Sequence, residues 1–198
     1  MASTAAPYGL RAVNELGGLP YAGSTRTFLI NPAGSTANMY NGTVVAVDAD
    51  GYLVPVTDVG SAADPFPVGV VGVFTGCSYV NAQGQQIWAQ YYPTGTTGVV
   101  TATVIDDDRT VFQVQSAGSL AQTALGMNVA FSAAQTGNPT TGNSTTAVSA
   151  TPVATTGVAF RIVGFVENIT STVGDARTDV LVKFNPGSHS YSNPLGVA

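Results

Sequence analysis

Residues Thr43–Thr57, TVVAVDADGYLVPVT, decide the fold. A short β-branched run, Thr43–Val47, leads into Asp48. Asp50-Gly51 is a favoured hairpin pair, because glycine accepts a positive φ, and Tyr52–Thr57 returns as the partner strand. The same grammar repeats outward from this hairpin. Val68–Tyr79 reads as a long buried strand whose glycines suit bulges or corners. Gln86–Tyr92 alternates Ile87, Ala89 and Tyr91 against Trp88, Gln90 and Tyr92. In Val99–Ile105, Val99, Thr101, Thr103 and Ile105 oppose Val100, Ala102 and Val104. Asp106-Asp107-Asp108-Arg109 is a polar turn and Val111–Gln115 returns from it. Ser119–Leu125 reads as one short helix, with Ser119 as N-cap and Gly126 at the position of a terminating glycine. Asn128–Ser132 is a further strand. Ala133–Gly157 is of low complexity, a linker or long surface loop in which Ala147–Val153 can still pair as an edge strand. Ala159–Glu167 and Thr178–Phe184 complete the set. Strand signals separated by turn signals at this spacing give an all-β protein, a small β-barrel or β-sandwich with at most one short helix.

The ends read differently. Met1–Asn41 carries Pro7, Gly9, Gly17, Gly18, Pro20, Gly23, Pro32 and Gly34, a spacing no helix survives. Arg26–Ile30 is its one expected strand. Asn185–Ala198 is a second Pro/Gly-rich stretch. The expected division is an N-terminal extended arm over 1–41, a β domain over 42–185 and a C-terminal arm over 186–198. Apolar residues in the arms suit them to docking, either on neighbouring molecules or around the chain's own domain. On the first reading, removing residues 1–25 leaves a folded domain.

Composition excludes several functions. Among 198 residues there are 6 Lys+Arg, 11 Asp+Glu and 1 His, for a net charge of −5. Six basic residues cannot build a stripe that tracks nucleic-acid phosphates. A hydrophobic fraction of 44% argues against disorder. A coiled coil needs abundant Glu, Lys and Leu in heptads. The single Cys77 excludes an intrachain disulfide framework and a cysteine-based zinc site; a buried thiol is its default. The longest apolar run, Val68–Thr75, falls far short of a membrane span. Met1–Pro7 lacks the charged and apolar regions of a secretion signal, so synthesis and use without secretion are expected.

No motif for chemistry assembles. His189 sits in the C-terminal stretch without a Gly-x-Ser-x-Gly elbow, and an exposed or interface histidine is the expectation over a general base. Asp106, Asp107 and Asp108 lack calcium-loop spacing and read as turn residues. Glu15 and Glu167 do not establish a carboxylate pair for glycoside chemistry. Gly69–Gly72 and Gly95–Gly98 lack the lysine and helix of a phosphate loop. The expectation is therefore no catalytic residue, no metal and no cofactor. Trp88, Tyr91 and Tyr92 form an aromatic group suited to core packing or interface anchoring. With Tyr8, Leu10, Leu19, Tyr21, Phe28 and Tyr191 they make up the candidate interface residues.

Three segments in order carry a resemblance: Val70–Thr75 with Gly76-Cys77-Ser78-Tyr79; Gln86–Tyr92 followed by Pro93; and Thr103-Val104-Ile105-Asp106-Asp107 before Phe112-Gln113-Val114-Gln115. This series resembles the head decoration, or cement, proteins of tailed bacteriophages. It continues more weakly through Gly126–Asn128, Thr141–Ser144 and Val180–Asn185, and covers about Gly42 to Asn185. The resemblance implies a β-barrel or sandwich on the outer surface of an icosahedral head. It further implies assembly often as trimers, bridging of neighbouring major capsid subunits, and no catalysis; the composition adds the expectation of no nucleic-acid partner and no membrane. A tail-associated, receptor-binding adhesion protein is the alternative, and a surface-layer module is a weaker one.

Overall fold

The opening hairpin forms as its turn chemistry dictates. Asp48 Oδ1 accepts from the N–H groups of Asp50 at 3.1 Å and Tyr52 at 2.8 Å, and Gly51 takes a φ of +81°. Around it a computed structural model describes residues 4–35, 37–60, 66 and 69–196. The strands, in chain order, are β1 (Arg11–Glu15), β2 (Arg26–Ile30), β3 (Met39–Tyr40), β4 (Val44–Val47), β5 (Leu53–Pro55), β6 (Val70–Val80), β7 (Gln86–Ala89) and β8 (Tyr91–Tyr92). They continue with β9 (Val100–Ile105), β10 (Thr110–Gln115), β11 (Asn128–Val129), β12 (Gly137–Asn138), β13 (Asn143–Ser144), β14 (Phe160–Phe165) and β15 (Asp179–Phe184).

The fold is all-β and sandwich-like. One antiparallel sheet runs β1-β10-β15-β14-β11. A second runs β2-β9-β6-β4-β5, with β7 added on β6, and β3-β8 and β12-β13 are small separate pairs. Among the described residues no sheet closes into a barrel, although β2 and β5 approach each other as the second sheet curls. Two cores result. Val44, Ala46, Val70, Val73 and Ile105 of the second sheet pack against Phe112, Val114, Phe160, Ile162, Val180 and Val182 of the first. Inside the curl, Ile30, Val45, Leu53, Phe74, Cys77, Tyr92, Val100, Ala102 and Val104 form the other. β4 serves both, which is why its sequence is apolar throughout instead of alternating. Gly72 of β6 has a φ of +147°, and a Cβ there would sit 1.9 Å from the Ile105 carbonyl oxygen. Only glycine fits where the ladder shifts register beside Val45 and Ala46.

The chain ends correct the expected division at 42 and 185. β1 pairs with β10 at the edge of the first sheet, and β2 pairs with β9 at the edge of the second. The breakers between residues 7 and 34 exclude helices but leave two five-residue extended segments, enough to cover an edge that would otherwise carry unpaired backbone groups. Leu10 enters the inter-sheet core at 2% exposure. A chain lacking residues 1–25 would lose a core residue and an edge strand, which counts against the expectation that it leaves a folded domain.

The C-terminal stretch is latched to its own chain. His189 is buried between Phe184 and Tyr191, with ring centroids at 5.5 and 5.1 Å. Tyr191 donates its hydroxyl to Asp106 Oδ2 at 2.9 Å, and the same oxygen pairs with Arg26 Nε at 2.9 Å. The tail thereby holds a strand from the other end of the chain.

Two further expectations change. The helix over 119–125 shrinks to a 3-10 turn, Gln122–Ala124, because Ser119 Oγ donates to the Gly174 carbonyl and caps nothing. The low-complexity stretch 133–157 is anchored. Gln135 inserts its side-chain amide at β4, accepting from Val44 N–H at 2.7 Å and donating to the carbonyls of Val44 and Val56. Val148 and Val153 make only isolated bridges, to Ser116, Phe131 and Asn128, instead of an edge strand.

Candidate interaction surface

β6 is long enough to leave the sandwich. Its first half packs against the other sheet, and the register shift between Phe74 and Gly76 carries its second half beyond that cover. There Cys77 and Tyr79 turn toward the curled core, opposite Ala102 and Val100, and Ser78 and Val80 turn outward. The register Leu29↔Thr101, Thr101↔Ser78, Ser78↔Trp88 sets one row across four strands. Thr27, Thr103 and Gly76 form the row beside it, and Val80 with Gln86 the row on the other side, next to Val99. Leu29 is 50% exposed, Val80 55%, Val99 71% and Trp88 80%.

This face holds no charge. Residues 65–105, which supply β6, β7 and β9, contain no Asp, Glu, Lys, Arg or His, and β2 adds Thr27 and Leu29, so the four exposed apolar side chains lie among uncharged neighbours. Surface strands normally alternate apolar inward with charged or polar outward. Four exposed apolar side chains on one face, spaced by small polar residues, make this the candidate interaction surface.

The nine candidate interface residues separate. Trp88 lies on the open face. Leu10 and Tyr92 are corrected to core residues: Tyr92 is fully buried, its hydroxyl donating to the Thr96 carbonyl at 2.8 Å and accepting from Ser35 N–H. Tyr91 stacks on Tyr40 at 5.7 Å and 13°. The aromatic group therefore disperses, because Trp88 and Tyr92 fall on opposite sides of the backbone and Gln90 breaks the strand between them. Phe28 packs on the curled core and Tyr21 on the inter-sheet core. Tyr8 is half-buried beneath the Arg11 guanidinium, 4.6 Å from the ring centroid; burial and then the charge of Asp179 hold its hydroxyl above the ordinary range. Leu19 is exposed on the turn after β1, and Tyr191 is half-exposed on the latch. Leu29, Val80 and Val99 join Trp88 on this face without being among the nine. The charge-free run was legible, but their sharing of one face depends on cross-strand register.

The polar groups that could do chemistry sit in structural settings. His189, expected to be exposed or at an interface, is 1% exposed within its own chain. Burial holds its pKa below the usual value against the pull of Asp108, the Val71 carbonyl, Asp106 and Asp107, and its Nδ1 accepts from Tyr191 N–H at 3.3 Å. The ring is a neutral packing element between two aromatics. Asp106 is taken by Arg26 and Tyr191, and Asp107 accepts from Arg109 N–H at 2.8 Å as a turn residue. Burial pushes the Cys77 thiol up to about 11, which leaves it protonated and unreactive. A hollow of about 340 Å³ is lined by Asn128, Arg161, Asn185 and Ser188; Arg161 donates to Asn128 Oδ1 across it.

No helix among the described residues is long and apolar enough to cross a membrane. No protein-family model, curated protein or solved structure matches the chain.

Proposed function

We propose that the chain is a structural virion protein, a decoration or cement protein on the outer surface of a tailed-phage head, where it stabilises the shell by bridging neighbouring major capsid subunits. The observation that carries this reading is the uncharged face around Leu29, Val80, Trp88 and Val99. Apolar surface of this extent is stabilised when covered by protein, and a shell offers the same cover at every repeat. Weak contacts multiplied over many copies hold a lattice without any specialised site. The resemblance in residues 70–115 points the same way, and the role needs no catalysis and no cofactor. The chain is made in the host cytoplasm and acts at the head surface.

Cryo-microscopy of particles carrying this chain tests the proposal. Copies spread over the whole head at fixed ratio to the capsid subunit are expected. Five or six copies at one vertex or on the tail would overturn it in favour of adhesion. One observation favours that second reading: a shallow hollow of about 330 Å³ beside Trp88, lined also by Thr75, Gln90 and Thr103, joins an exposed indole to neutral hydrogen-bonding groups, as a sugar ring requires. Binding on a glycan array would select it.

A further inference from the structure

The edges of the two large sheets differ in how they are protected. β1 is covered on its free side by its own turn: Glu15 N–H donates to the Leu19 carbonyl at 2.8 Å, and Asn14 bridges to Pro20. β11 is covered by Val153, which exchanges both backbone hydrogen bonds with Asn128 at 2.8 Å. β2 and β5 lie against each other as the sheet curls, and β5 ends in Pro55. β7 has none of these devices. Its sequence, Gln86-Ile87-Trp88-Ala89, contains no proline and no charge, and no strand among the described residues pairs with its outer side.

The register states which groups are left open. At the base of the β6–β7 hairpin, Asn81 N–H donates to the Gln85 carbonyl at 2.9 Å. Bonded and non-bonded pairs alternate along an antiparallel ladder. Tyr79–Ile87 and Cys77–Ala89 are then the bonded pairs, and the N–H and C=O of Gln86 and Trp88 point away from β6. The Ala89 carbonyl, directed at Gly76, agrees with this phase. Two donors and two acceptors at strand spacing, on a strand without the usual protection, call for another strand.

We propose that β7 pairs antiparallel with β7 of a second copy of this chain about a two-fold axis through Ile87. Such an isologous contact sets Gln86 of each copy opposite Trp88 of the other and closes four backbone hydrogen bonds. It also brings the two half-buried Ile87 side chains together at a close, non-bonded pair. The outward groups of Gln86 and Trp88 sit symmetrically about Ile87, so a second β7 laid antiparallel satisfies all four at once, and residues 65–105 bring no carboxylate to the contact that would repel it. Edge-to-edge pairing also joins the exposed faces of the two copies into one continuous surface. This pairwise contact departs from the trimer implied by resemblance and does not depend on the capsid reading.

Sedimentation equilibrium of the purified chain at micromolar concentration tests it. The expected species is a dimer, twice 20.0 kDa. Gln86→Pro removes one outward N–H per copy without touching any bond to β6, and it should weaken the dimer roughly tenfold or more. Trp88→Lys should do the same through charge at the edge. Leu29→Lys lies on the same face but away from the edge and should leave the dimer intact; circular dichroism confirms that each variant is folded. A monomer, a trimer, an assembly indifferent to both β7 variants, or one dissociated by Leu29→Lys would overturn the proposal. Particle microscopy decides the capsid reading separately, so either can fail alone.

Discussion

One surface of the curled sheet is divided between two fates. Toward its β4 end, Val44, Val73 and Ile105 are covered by the first sheet and are at most 6% exposed. A few residues further along the same strands and on the same face, Leu29, Val80, Trp88 and Val99 are open to solvent at 50% or more. Their chemistry is alike: both halves are apolar and without charge. Cover, and not residue type, separates core from open surface. What ends the cover is geometric. β6 has 11 residues where the strands of the facing sheet have at most six, so the second sheet overhangs the first.

The comparison breaks most sharply with a paired substitution on β6. Val73→Asp places an unpaired carboxylate between the sheets and should cost more than about 4 kcal/mol, enough to unfold most domains. Ser78→Asp, five positions on and on the same face, should shift the urea midpoint by less than about 0.5 kcal/mol. Equal losses would show that the exposed half is covered after all. Leu10→Ala tests whether the N-terminal stretch belongs to the buried half: a loss of about 2–5 kcal/mol is expected, and an unchanged midpoint would return residues 1–41 to the role of a free arm.

The latch gives a subtler test through pH. His189 is neutral in the fold, with its pKa below 6.5. Its contribution is therefore complete above about pH 6.5 and lost as pH falls through the folded value, since the unfolded chain takes up the proton first. Asp179 acts in the opposite sense. Burial raises it above 3.8, so its contribution is complete below that pH and lost as pH rises through the folded value. His189→Gln should flatten the acid limb of a denaturation-midpoint profile below pH 6.5, and Asp179→Asn should flatten the fall above pH 3.8. The smallest effect on stability is expected at Trp88→Ser, within about 0.5 kcal/mol, while on the proposed capsid role binding to heads falls. Loss of folding without loss of binding would reverse the assignment of the exposed half.

Much of the β framework was legible because it depends on local rules. Asp48, Asp50 and Gly51 specify their hairpin within five residues, and the glycines of β6 announce its irregularities. The dispersal of Trp88, Tyr91 and Tyr92 was partly legible too, since alternation alone puts Trp88 and Tyr91 on opposite sides. The two ends were misread because Gly and Pro report only what a segment cannot be. They exclude a helix at Arg11–Glu15 but say nothing of the vacant edge of β10 a hundred residues away. The burial of His189 was equally hidden: Gly187-Ser188-His189-Ser190 is polar, and only Phe184, Tyr191, Asp106 and Arg26 converging from three parts of the chain make it a core position.

By itself, then, the sequence determined an all-β chain, its hairpins and its want of charge, because turn preference, alternation and composition act over a few residues. Tertiary structure alone decided which apolar face is covered and which is left open. That choice depends on the relative lengths and register of strands from distant parts of the chain, and no local pattern encodes it.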